Sequence, residues 1–219
     1  MQRAPCAGFS KAGGFKQVAG TLFMMGNKRS GTSLLVRLLN VHPRVFITHE
    51  SDVIWTLYQC RSGLPDRFAN YSGDGPLGMI ATLRAAAEVY RQIPAPGTGT
   101  PDLVQSFFDI QEHLRLHGSD VQQTYPGKND LYWIGDKKPV QHADPELHGF
   151  ILELWPDARF IHVVRHPCAV YQSIQAAKKN WTTVPEYWKG DDTDIFGRWL
   201  RHERWVLDAM ESLGGAGFS

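Results

Sequence analysis

Three cysteines, Cys6, Cys60 and Cys168, are all that this chain of 219 residues contains. They lie far apart and are odd in number, which argues against a disulfide framework or a structural zinc site. Charge of one sign is also lacking: Lys plus Arg total 23 against 22 for Asp plus Glu, a net of +1. A dedicated nucleic-acid binder should show a clustered positive excess, so that class is excluded. No apolar run approaches the roughly 20 residues needed to span a bilayer. The stretch from Met1 to Gly20 carries Arg3, Lys11 and Lys16 but no continuous apolar segment, so it does not read as a signal peptide. What is present is hydrophobic residue at 42% of the chain, enough for a core and too much for wholesale disorder. Length and composition together suit one soluble domain, expected to be cytoplasmic.

Along the chain, residues 1–17 are rich in Gly, Ala and Lys without periodicity and read as a flexible arm, leaving 18–219 as the domain. Val18 to Met25 is a short apolar run closed by Gly26, as expected of a buried strand. Thr32 to Asn40 has helical spacing that places Leu34, Leu35, Leu38 and Leu39 on one face. Arg44 to Thr48 is strand-like, Ser51 to Cys60 helical, and a further helix is expected over about Leu77 to Ile93. The Pro/Gly/Thr cluster from Pro94 to Pro101 is the clearest linker. Helical spacing resumes from Asp102 to His117, and Leu131 to Gly135 reads as a short strand. Asp144-Pro145 opens a helix to Trp155 with a capping carboxylate and a first-turn proline. Arg159 to Val164 is a strand, followed by helices over about Pro167 to Lys179 and Thr193 to Ser212. Strands alternating with helices imply an α/β protein with a parallel central sheet flanked by helices.

The strongest local signal is strand, then Gly26-Asn27-Lys28-Arg29-Ser30-Gly31-Thr32-Ser33, then helix. Backbone N–H groups in such a turn, with the positive end of the helix, form an anion site. The spacing nearly matches GxxxxGK[ST], yet Thr32 stands where an NTPase needs its lysine, and the positive charges Lys28 and Arg29 sit inside the loop instead. A P-loop small-molecule kinase is therefore the weakest of the nucleotide readings. A second constellation follows the strand RFIHVV: Arg165-His166-Pro167, with Ser173 eight residues beyond Arg165. Ligands of open α/β sheets bind at the carboxyl ends of the strands, and a guanidinium beside a hydroxyl suits a second phosphate.

These two segments carry a resemblance. GNKRSGTS resembles the 5′-phosphosulfate loop of the sulfotransferase family, and VVRHPCAVYQS its 3′-phosphate motif. The likeness runs from about Leu22 to Ser173 and is greatest to the branch holding the tyrosylprotein sulfotransferases and their bacterial relatives. That branch follows Arg-Ser-Gly-Thr with a helix, a His-Pro and a catalytic glutamate; here these are Arg29 to Thr32, then His42-Pro43 and Glu50. The resemblance implies a three-layer P-loop-type fold and 3′-phosphoadenylyl sulfate as donor, with 3′-phosphoadenosine 5′-phosphate as product and no metal. It also implies an acceptor bearing a hydroxyl or amine. Lys28, Arg29, Ser30, Gly31, Thr32, Ser33, Arg165 and Ser173 would hold the nucleotide. Glu50 would be the general base, with His49 as competitor because other branches use a histidine. Lys137, two residues before Pro139, would stabilise the departing oxygen, and Arg29 would hold the sulfuryl and 5′-phosphate oxygens. The family continues past the last helix into another strand and loop, whereas this chain stops at Ser219, so a non-catalytic binder of the same nucleotide is the alternative.

Other features point elsewhere. His113 and His117, with Arg115 between them, read as a solvated helix face. Asp191, Asp192 and Asp194 lack the glycine and terminal glutamate of a calcium loop. Trp199 and Trp205 read as packing residues, while Trp181 or Trp188 could border an acceptor cleft.

Overall fold

The computed structural model describes residues 18–62, 102–117, 127–180 and 191–212. The sequence readings of the arm over 1–17, the helix over 77–93, the linker over 94–101 and the tryptophans Trp181 and Trp188 lie outside these residues. Four parallel strands form the sheet: β1 (Gly20–Gly26), β2 (Val45–His49), β3 (Trp133–Lys137) and β4 (Arg159–Val163), in the order β2-β3-β1-β4. The register sets Met24 of β1 beside Lys137 of β3, His49 of β2 beside Lys137, and Gly26 beside Val163 of β4. All four carboxyl ends therefore open onto one edge, where ligands of such sheets bind.

Successive side chains of a strand face opposite sides, and β1 shows it. Phe23 and Met25 enter one buried cluster with Phe46, Ile134 and Phe160, while Met24 enters another with Ile47. The first cluster is covered by α2 (Val53–Ser62), α3 (Leu103–His117), α4 (Pro145–Leu154) and α6 (Asp192–Ser212), through Leu57, Phe107, Ile151 and Val206. The second is covered by α1 (Thr32–Leu39) through Val36. Helix α5 (Pro167–Asn180) packs Val170 and Ile174 against Ile195 and Trp199 of α6. The result is a three-layer, P-loop-like α/β fold. As expected from Asp144-Pro145, the Asp144 carboxylate caps α4, accepting from the N–H groups of Glu146 and Leu147.

Three expectations need correction. Helix α1 faces the sheet with Thr32 and Val36, so Leu34 and Leu38 are 64% and 60% exposed instead of sharing a buried face with Leu35 and Leu39. Strand β3 runs over Trp133–Lys137, two residues later than the apolar pattern of Leu131 to Gly135. Pairing with β1 and β2 decides its limits, and the polar residues Asp136 and Lys137 are drawn into the sheet and fully buried. Arg115 does not lie on a solvated face: it is buried and forms an ion pair with Glu112, Nε to Oε2 at 2.7 Å.

Candidate active site

The chain leaves β1 through Gly26, whose φ of 147° and closeness to β4 leave no room for a side chain: a Cβ there would stand 2.6 Å from the carbonyl oxygen of Val163. Gly31, at φ 106°, then turns the chain into α1. Between them Arg29 adopts φ 70°, a strained backbone of the kind that accumulates at ligand sites. Ser30 N–H donates to the carbonyl of Asn27, and Leu34 and Leu35 N–H donate to that of Gly31, which closes the turn. The first N–H groups of a helix have no carbonyl above them, so α1 presents donors and positive potential to this concavity. Ser30 Oγ is buried within the loop without a hydrogen-bond partner, and Thr32 is buried beneath it. An orphaned hydroxyl beside these N–H groups fits an oxyanion.

The second sequence motif meets this loop directly. Arg165 donates from a guanidinium nitrogen to the carbonyl of Arg29 at 3.0 Å, and Arg29 Nε donates to Ser173 Oγ at 3.1 Å. Arg29, 136 and 144 residues before Arg165 and Ser173 in the chain, thus forms one exposed cationic cluster with them at the ends of β1 and β4.

At the ends of β2 and β3 lies the other half of the site. Lys137 Nζ donates to Glu50 Oε1 at 2.6 Å and to Ser33 Oγ at 3.3 Å, while His49 Nε2 stands 2.8 Å from Ser33 Oγ. Glu50 and Asp52 adopt φ of 53° and 57°, which turns the chain sharply as it leaves β2. Glu50 N–H donates to the carbonyl of Lys137 at 2.8 Å, extending the ladder one residue past the strand. Lys138 pairs with Asp52 at 2.9 Å. Lys28 is half-buried and close enough to feel Glu50, Lys138, Asp52 and Lys137.

The electrostatics follow from burial and pairing. Burial alone would raise the Glu50 carboxyl, but the charge and hydrogen bond of Lys137, with His49 and Lys138, outweigh it and hold the group below its ordinary value. Lys137 is lowered by burial, with Glu50 opposing. His49 is lowered to about 4, by burial first and the Lys137 charge second, so it is neutral at pH 7. Lys28 is lowered mainly by burial.

Beneath this pair lies a buried polar network that the sequence reading did not include. Asp136 Oδ1 accepts from Thr48 Oγ1 at 2.6 Å and Ser51 Oγ at 2.8 Å, and Gln111 Nε2 donates to Thr48 Oγ1 at 3.0 Å. His142 sets Nε2 3.3 Å from Asp136 Oδ2 and Nδ1 3.1 Å from the carbonyl of Met24. Asn27 is likewise buried in contact with α6. Its place in the quoted loop was the only sequence signal for it; the partners of Asp136 are too far along the chain to form a motif. Among the described residues, no group of three or more His, Cys, Asp or Glu is gathered as a metal site. No described helix is long and apolar enough to cross a membrane.

A parallel sheet whose β1–α1 turn is flanked by clustered cations and one carboxylate defines a P-loop-like α/β protein. The model of the sulfotransferase family matches residues 21–214, and the chain belongs to that family. Solved structures agree at the level of fold. The sulfotransferase domain from the Synechococcus PCC 7002 olefin synthase superposes with a TM-score of 0.53 at 19% identity, covering 95% of this chain and 67% of that one. The sulfotransferase domain from the curacin biosynthetic pathway gives 0.52 at 17% identity, covering 91% and 65%. The chain thus spans about two thirds of the length of these domains. No curated protein matches it.

Proposed function

We propose that the chain transfers a sulfuryl group from 3′-phosphoadenylyl sulfate to an acceptor hydroxyl or amine. The observation that carries this reading is the Lys137–Glu50 contact of 2.6 Å at the strand edge, beside Ser33 at the start of the phosphate-loop helix. It brings a base, a cation and an anion cradle within reach of one reacting centre. The loop Gly26 to Ser33 would take the 5′-phosphate and sulfuryl oxygens, and Arg165 with Ser173 the 3′-phosphate.

Sulfuryl transfer resembles phosphoryl transfer in being an in-line displacement governed by positioning and charge stabilisation. Glu50 takes the proton from the acceptor as the new sulfur–oxygen or sulfur–nitrogen bond forms. The sulfur–oxygen bond to the nucleotide breaks, and its electron pair stays on the 5′-phosphate of 3′-phosphoadenosine 5′-phosphate. Lys137 and Arg29 stabilise the charge gathering there. Before donor binds, Lys137 holds Glu50 below its ordinary pKa. Burial opposes that lowering and pushes the carboxyl up, the direction a general base needs. His49, lowered to about 4 and directed at Ser33 Oγ, is the competing base.

The test is thermal unfolding with added nucleotide, followed by labelled-donor incubation with a panel of acceptor hydroxyls and amines. At 100 times its dissociation constant, 3′-phosphoadenosine 5′-phosphate should add about 2.7 kcal/mol, and ATP with magnesium much less. Equal protection by ATP would overturn the assignment of the donor. Protection without transfer to any acceptor would leave a binder of the same nucleotide.

A further inference from the structure

The first loop residue able to carry a side chain is Asn27, and that side chain faces α6, not the ligand concavity. It is only 3% exposed. Its Nδ2 donates to the carbonyl of Trp199 at 3.3 Å and to Glu203 Oε1 at 2.5 Å. A carbonyl and a carboxylate on one side fix the amide nitrogen there, because neither can donate. Oδ1 therefore faces His202 Nδ1, 3.1 Å away, and must accept from it. The second oxygen of Glu203 lies 3.0 Å from His162 Nε2 on β4. A single buried amide thus joins the loop after β1 to a helix 172 to 176 residues further on, and the same glutamate reaches the strand beside it.

The position next to Asn27 gives this contact its consequence. Lys28 extends from the same turn toward Glu50 and Asp52, and Arg29 toward Ser173. With Gly26 confined by the Val163 carbonyl, Asn27 is where the pitch of the loop is set. We infer that Asn27, Glu203 and His202 are positioning residues, a clamp by which α6 holds the phosphate loop in its ligand-ready form. The ligand named here rests on the reading under Proposed function; the clamp itself does not. Glu203 contributes by accepting from Asn27, so Glu203→Gln, which retains an acceptor oxygen, should preserve the clamp, whereas Glu203→Ala should release it.

The experiment compares wild type, Asn27→Ala, Glu203→Ala, the double variant and Glu203→Gln. Binding of 3′-phosphoadenosine 5′-phosphate is measured by calorimetry and amide hydrogen exchange across residues 27–35 by mass spectrometry. Each alanine variant should weaken binding about tenfold or more, within the range that misplacing a ligand-holding group produces. The double variant should lose less than the product of the two single losses, as expected of residues that share a contact. Exchange over 27–35 should quicken in both alanine variants while β3 stays protected, and Glu203→Gln should behave as wild type on both readouts. Multiplicative losses in the double variant, or unchanged affinity and exchange in folded alanine variants, would overturn the clamp. If wild type binds no nucleotide, the donor assignment fails, and the exchange readout decides the clamp by itself.

Discussion

Lys28 and Arg29 stand at the end of β1 on a turn made by two glycines at φ 147° and 106°, the Asn27 contact with α6 and the N–H groups of a helix start. Glu50 and Lys137 stand at the ends of β2 and β3 over a fully buried Asp136 with Thr48, Ser51, Gln111 and His142 around it. In the first region the charged side chains are exposed or half-buried, and the core does not depend on them. In the second, Lys137 and the polar groups beneath it are fully buried parts of the core. An exposed cation can be removed at little cost, whereas a buried carboxylate leaves several orphaned donors behind when it is removed.

The largest expected effect breaks this contrast at its buried end. Asp136→Ala removes the acceptor of the Ser51 hydroxyl and the nearer acceptor of Thr48, which keeps only the carbonyl of Gly135 at 3.1 Å, and leaves His142 facing no acceptor on that side. Loss of one partner from a buried charge network costs about 3–5 kcal/mol. Urea unfolding should show such a loss, with Asp136→Asn milder because it keeps an acceptor oxygen. Arg29→Ala, at the exposed end, should change stability by less than about 0.5 kcal/mol. Similar costs for the two substitutions would abolish the distinction.

The next effect is on rate. Glu50→Gln keeps the shape and removes the base, so turnover in the labelled-donor assay should fall by about 10²-fold or more. Nucleotide affinity should hold or rise, since a negative charge near the anionic donor is gone. A rate untouched by the change would move the base role to His49.

The two regions also differ in how far the sequence disclosed them. Gly26 to Ser33 was legible because the anion cradle is a local device: two glycines, basic residues and a helix start within eight positions. Arg165 and Ser173 were legible as a helix-turn pair after a strand, although their meeting with Arg29 was not. Glu50 and Lys137 came through resemblance to a family, and their contact became visible only when β2 and β3 paired in register. Asp136 and Lys137 fell beyond the strand expected over Leu131 to Gly135 because burial of charge cannot be inferred without Thr48 and Ser51 overhead. The exposure of Leu34 and Leu38 had the same cause: helical spacing defines faces, but only the sheet decides which face is covered.

A smaller effect sharpens the binding side. Because Arg165 donates to the Arg29 carbonyl beside Ser173, Arg165→Ala should weaken binding of the 3′-phosphorylated nucleotide more than of its 3′-dephospho analogue. One charge-assisted hydrogen bond is worth about 1.5–3 kcal/mol, so the preference should fall about tenfold or more. Equal weakening of both nucleotides would place the 3′-phosphate elsewhere.

The smallest effect compares the two regions through a histidine in each. His49, at the β2 end, and His202, on the clamp of the loop, are both lowered to about 4, chiefly by burial. In the unfolded chain each takes up its proton near its ordinary value of about 6.5. Between roughly pH 6.5 and 4 the unfolded state therefore binds more protons than the folded one, and stability rises with pH across that window. Acidification from pH 7 to 5 should lower the thermal midpoint accordingly. The carboxyls of Glu50 and Asp136, also held below their ordinary values, act with the same sign at lower pH. His202→Asn keeps a donor toward Asn27 Oδ1 and removes the titration, and His49→Gln keeps a polar partner for Ser33. Each should recover roughly 2–4 °C of the acid-induced drop, what about 1 kcal/mol shifts in a chain of this size. Recovery by His49→Gln alone would locate the acid sensitivity at the β2–β3 edge. Recovery by His202→Asn alone would locate it on the loop, and no recovery by either would point to His148, which burial also lowers.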